Sequence, residues 1–196
     1  MQLIIYKTVG HKRMKPKYTY KKSSEFIDNI DFEYFETYSL LRGQKFEEEI
    51  ESLESEFTNI KSKTDRNEAQ KRRLSELDEL LNFTQVIINK KGQLHFSAEK
   101  INRIEKTDSK SERLIEILKT EINDIPNWMC APIYRDAILF YDKNDNLIKP
   151  LNICLSCEYM ETELFDHINA DFKTYELMRK FLIDIGHKVE TEKARC

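Results

Sequence analysis

Phe46, Ile50, Leu53, Phe57 and Ile60 recur at spacings of four and three, with acidic residues filling the positions between them. That period lines one side of an α-helix with apolar side chains. The pattern lapses through the polar run 61–73 and resumes with Leu74, Leu77 and Leu81. Asp65, followed three residues later by Glu68, has the form of a capping box that starts a second helix. An unbroken seam would not lose its apolar positions for about three turns. Residues 45–83 are therefore expected to fold back as an antiparallel helical hairpin rather than run on as one long helix.

Elsewhere the period changes. Residues 2–9 have the β-branched and aromatic flavour of a short strand ended by Gly10, and the rings of Phe26, Phe32, Tyr34, Phe35 and Tyr38 are expected to pack on the body of the protein. VIINKKGQLHF reads as a small hairpin turning at 90–92. Ser97 is placed to cap a helix carrying Ile101 and Ile104, and a further helix on Leu114, Ile117, Leu118 and Ile122 should stop before Pro126. RDAILFY and LIKPLNIC flank the turn-rich DKNDN, which predicts a β-hairpin, with Pro150 marking an edge or a bulge in its second strand. Phe172, Tyr175, Met178, Leu182 and Ile185 share one helix face, which Gly186 ends. The expected class is α+β, with a helical hairpin in the middle of the chain and a C-terminal β-hairpin packed on a terminal helix. Three segments follow: 1–44, basic and aromatic; 45–124, mostly helical; and 125–196, which holds every cysteine.

At 196 residues the chain can bury a substantial core without disulfide staples. Lys and Arg number 32 against 35 Asp and Glu, so overall charge selects no class of partner. With four glycines and four prolines, neither a glycine-rich phosphate cradle nor a many-turned all-β fold is favoured. Local charge is more informative. Seven Lys or Arg and no acid lie from Lys7 to Lys22, interleaved with Tyr18 and Tyr20, the composition of a phosphate-binding arm with stacking rings, and nucleic-acid binding through the Lys12 to Lys22 arm is a further alternative function. A solvated connecting segment explains the same residues and is preferred. The N-terminal apolar run, Leu3 to Tyr6, precedes its basic residues, the reverse of a secretory leader, and no stretch is long and apolar enough for a membrane span. A cytoplasmic location without a membrane partner is expected, where disulfides among Cys130, Cys154, Cys157 and Cys196 are disfavoured.

The hairpin pattern brings cysteines together. If its turn closes on 143–146, facing residues have numbers summing to about 289, so Arg135 faces Cys154 and Pro132 faces Cys157. Cys130 then lies close to the position facing Cys157. Three convergent thiols suit tetrahedral zinc, with His187 or His167 as a further ligand, and a structural site is favoured because no general base accompanies it. The alternative is a thiol–disulfide redox enzyme using Cys154 and Cys157, with Cys130 as resolving thiol. Against it, no Trp-Cys-Gly-Pro-Cys neighbourhood or following βαβ unit is present. Plain burial of small apolar thiols weighs about as much as the metal and redox readings together. Arg135, near the same open end, is a candidate anion or thiolate support, or else one half of an ordinary ion pair.

The succession C-x-P-x-Y-R-D, a short strand, a polar turn and L-x-I-C-x-x-C, over Cys130 to Cys157, resembles small bacterial proteins that carry a Cys-x-Pro element followed by a hairpin ending in Ile-Cys-x-x-Cys. The resemblance implies a recurring module that shares Cys130, Pro132, Cys154 and Cys157, and it supplies no reaction. No catalytic constellation is visible along the chain. The expected function is a non-catalytic interaction protein, of accessory or inhibitor type, whose amphipathic helices meet another protein and whose cysteine module holds zinc.

Overall fold

The computed structural model describes residues 18–82, 85–89, 92–126, 131–163 and 166–189. The expected strand at 2–9 and the basic residues up to Lys17 lie outside these, as do Cys130 and Cys196.

The chain folds around one seven-stranded sheet. Its strands are β1 (Thr19–Lys22), β2 (Tyr34–Ser39), β3 (Glu99–Glu105), β4 (Asp136–Tyr141), β5 (Leu147–Cys154), β6 (Tyr159–Glu161) and β7 (Asp166–Asn169), in the spatial order β1-β7-β6-β5-β4-β2-β3. All pairings are antiparallel except that of β1 with β7. Strands from all three sequence segments share this sheet.

Helices α1 (Ser23–Asp28), α4 (Ser109–Leu118) and α5 (Phe172–Asp184) cover one face. Strand alternation explains what they cover. Phe35, Ile104, Ile138, Phe140, Leu151, Ile153, Met160 and Ile168 point to that face and pack with Phe26, Leu114, Leu118, Met178, Phe181 and Leu182. On the opposite face Tyr38, Leu40, Ala137 and Leu139 pack under Ile87, with Ile88 and Ala98 at its margin. Residues 85–89 and 92–98 thus cover the second face. They form a bridged turn, Ile88 facing Leu94, and the Ile87 amide donates to the buried Asn152 Oδ1 at 2.7 Å.

The β4–β5 register is the one turn chemistry predicts, with Asp136 facing Ile153 and Ile138 facing Leu151. Pro150 lies in an interior strand, yet β6 pairs with β5 only over 152–154. The ladder alternation turns the proline's missing donor toward the side where β6 has ended, so locally it is an edge position.

Two helical expectations need correction. Ser97 caps no helix, because 99–105 is the strand β3, paired with β2 from Tyr34–Glu105 to Ser39–Glu99. The helix-like spacing of Ile101 and Ile104 yields to tertiary strand pairing. Helix α4 ends at Leu118, before Ile122, and starts at an Asp108 cap that accepts from the Lys110 amide at 2.8 Å.

The helical hairpin is present as α2 (Gln44–Ser62) and α3 (Glu68–Asn82). Leu53, Ile60 and Leu77 are buried between the two, flanked by Ile50, Phe57, Leu74 and Leu81. Arg73 ties them with two bonds to Glu56, at 2.7 and 2.8 Å. Among the named elements, α2 and α3 pack only against each other. At 1.5 Å per residue α2 makes an arm about 28 Å long.

Candidate functional site

Cys154 ends β5, and its ladder partner Tyr159 opens β6, so Leu155, Ser156, Cys157 and Glu158 form the four-residue turn of a tight hairpin. Glu158 closes it with a positive φ of 51°, a left-handed conformation that lets the chain reverse in so few residues. From the helical side Arg179 of α5 donates to the Leu155 carbonyl at 2.9 Å and holds the turn against the body.

Both thiols are buried, Cys154 at 1% exposure and Cys157 at 3%, in a cluster with Tyr134 that Val86 and Tyr159 border. The Ser156 hydroxyl reaches both sulfurs, 3.3 Å from Cys154 Sγ and 4.0 Å from Cys157 Sγ. Cys157 Sγ also donates to the carbonyl of Ala131 at 3.9 Å, and Ala131 follows Cys130 in the chain. Among the described residues no three His, Cys, Asp or Glu side chains are grouped to hold a metal ion. The turn leads into the strand β6, so neither thiol opens a helix whose N-terminus would favour its thiolate.

His187 is placed elsewhere by the end of α5. Gly186, at φ 99°, donates to the Ile183 carbonyl at 3.0 Å, and the His187 amide donates to that of Leu182 at 2.9 Å. This Schellman turn sends the imidazole back into the sheet. There Nδ1 lies 2.8 Å from Asp136 Oδ1 and Nε2 lies 2.9 Å from Thr37 Oγ1, all three side chains being buried. Arg42 Nη2 completes the network at 2.7 Å from Asp136. With both ring nitrogens engaged, His187 turns no lone pair toward a metal. Arg135 is also turned from the thiols: its guanidinium lies 3.9 Å over the Phe46 ring, and Nη1 donates to the Leu41 carbonyl at 3.0 Å.

A second polar cluster, not read from the sequence, adjoins the thiols. Tyr159 and Glu161 share one face of β6, and His167 on β7 faces Glu161 across the ladder. His167 Nε2 is 3.0 Å from the Tyr159 hydroxyl. Its Nδ1 is 2.8 Å from Glu161 Oε1 but makes no hydrogen bond to it. Tyr134, next to the cysteines, faces the same carboxyl, and burial first and Glu161 second push its phenol pKa up. Burial likewise pushes the His167 pKa down. Tyr20 of the edge strand β1 and Tyr18 just before it stack on the imidazole, with centroids at 5.0 and 5.4 Å, and leave it only 4% exposed. Strand alternation was the signal available: positions 159 and 161 on one strand must share a face.

No protein-family model, curated protein or solved structure matches this chain.

Proposed function

We propose that this is a protein-interaction module whose projecting α2–α3 arm meets another protein, and whose thiol-bearing hairpin is organised by structural zinc. The observation that carries the reading is the arm itself. Its apolar seam is satisfied within the hairpin and it packs on no other named element. It therefore adds little to the central core while offering a long solvated surface on two stiff helices.

The zinc part rests on two features of the turn. A C-x-x-C in a strand–turn–strand setting can present both sulfurs to one ion, as structural zinc requires. The Ala131 carbonyl against Cys157 brings the chain next to Cys130 toward the same place, so the ligand set in this reading contains Cys130, Cys154 and Cys157. The thiol redox alternative has less support, since nothing in the turn supplies the helix dipole that activates such a pair. For nucleic acid, the supporting residues are Tyr18, just before β1, and Tyr20 on β1, both half-exposed or more. Each ring, however, is already stacked on His167.

The test of the interaction reading is photocrosslinking in cells from Glu51 and Ser55 on the arm, with exposed Lys106 on the body as control. Discrete protein adducts at the two arm positions, absent at Lys106, are expected. Arm positions that crosslink no more than Lys106 would contradict the reading.

A further inference from the structure

We propose that one side of the α2–α3 arm pairs with the same side of a second copy of this chain, the two arms lying antiparallel as a four-helix bundle. The inference rests on the reading of the arm as an interaction surface, and it names the occupant.

The seam between α2 and α3 is unevenly buried. Leu53 and Ile60 of α2 and Leu77 of α3 are buried, whereas Ile50, Phe57, Leu74 and Leu81 are only half-buried. The half-buried residues share one heptad position: Ile50, Phe57 and Leu74 each precede a buried residue by three, and Leu81 follows Leu74 by seven. In an antiparallel helix pair, equivalent heptad positions fall on the same side of the seam. Arg73 and Glu56, joined by two hydrogen bonds, close the side of the buried set. The half-buried set therefore forms an apolar stripe along the other side. Lys61 marks that side, its ammonium lying 5.0 Å from the Phe57 ring centroid. A second hairpin laid on the stripe would complete a four-helix core.

Charge along the edges of the stripe selects the occupant. Glu47, Glu54 and Lys61 stand seven residues apart on the α2 edge, and Lys71 and Asp78 stand seven apart on the α3 edge, all of them exposed. Both edges are acidic toward the root of the arm and basic toward its tip. Such a pattern is complementary to itself only when one copy is reversed, because parallel copies would set like charges against each other. A two-fold axis across the middle of the arm gives that reversal. It sets Lys61 against Glu47 of the second copy and Lys71 against Asp78 of the second copy. One axis serves both pairs, since the Arg73–Glu56 bridge places the midpoint of 47 and 61 beside that of 71 and 78. Glu54 falls at the axis, exposed and free to turn its carboxylate to water. The bridge from Lys71 to Glu68 within α3 is exposed at both ends, so it competes weakly for the lysine.

Sedimentation equilibrium of the purified chain should show a dimer at about 50 μM in low salt, with a dissociation constant that rises about tenfold between about 0.05 and about 0.5 M salt. Two double variants at exposed positions test the pairing. Glu47→Lys with Asp78→Lys makes both ends of the stripe basic, and Lys61→Glu with Lys71→Glu makes both acidic. Each variant alone should be monomeric at the same concentration, with its helix content retained by circular dichroism. An equimolar mixture of the two should associate at least as tightly as the unaltered chain. An unaltered chain that stays monomeric, or a mixture that associates no more tightly than either variant alone, would overturn the proposal. Crosslinking in cells from Glu51 and Ser55 keeps this failure apart from failure of the arm reading. Adducts with other proteins, from a chain that is monomeric when purified, overturn the second copy as occupant and leave the arm an interaction surface. Arm positions that crosslink no more than Lys106 contradict both.

Discussion

His187 owes its place to Gly186. A side chain at φ 99° is strained even though the space beside it is open, the nearest atom to an added Cβ being Ile101 Cγ2 at 3.8 Å. Gly186→Ala should therefore cost about 1 kcal/mol through backbone strain, measured by denaturant unfolding. His187→Ala should cost more, about 2–4 kcal/mol, because it leaves a cavity and deprives buried Asp136 and Thr37 of partners. A loss under about 0.5 kcal/mol would show that the network contributes little. His95 makes a pH prediction. Burial, then the Arg135 guanidinium, push its pKa down to about 4, and burial also lowers that of His167. Both bases bind protons more readily when unfolded, so each contributes stability above the ordinary histidine range that falls away on acidification, and for His95 it is lost as pH falls from 6.5 toward 4. For His95, which is partly exposed, the loss should be about 2 kcal/mol, and His95→Gln should flatten the unfolding profile between pH 6.5 and 4.5. The helix-ending role of Gly186 could be read from sequence because it is local. The meeting of Tyr159, Glu161 and His167 could not, since it depends on recognising two strands of three and four residues in a segment with no long pattern.

At the scale of elements, long periodic stretches closed by a local turn were legible, whereas the short strands β6 and β7, and whatever is closed by distant pairing, were not. The α2–α3 hairpin and the β4–β5 register follow from period and turn chemistry within a few residues. By contrast, β1 exists through parallel pairing with β7, its Tyr20 facing His167 far along the chain, and β3 exists through pairing with β2. Short strands of this kind take their conformation from their neighbours. The arm's independence leads to a test at the same scale. Leu77, fully buried at the centre of its small seam, should cost about 2–4 kcal/mol when replaced by Ala. Hydrogen exchange should then accelerate across 44–82 while the amides of β4 and β5 keep their protection. Equal acceleration in β4 and β5 would mean that arm and body unfold as one unit.

The whole molecule is a sheet with helices on one face, a short covering segment on the other, and an arm that stands apart. The three expected segments merge in that sheet, and the two faces carry different chemistry. His187 is buried with Asp136 and Thr37 as a structural tie, whereas the thiols, Tyr134, Glu161 and His167 gather near the turn of β5 and β6. Among the described residues no helix is long and apolar enough to cross a membrane. The organising role proposed for the thiol turn meets its most direct test in the metal content of the purified protein, measured by elemental analysis alongside that of Cys154→Ser and Cys157→Ser. About one zinc per chain, lost in both variants together with a lowered unfolding temperature, is the predicted result. Metal-free protein whose Cys154 reacts rapidly with a thiol reagent near neutral pH would contradict it.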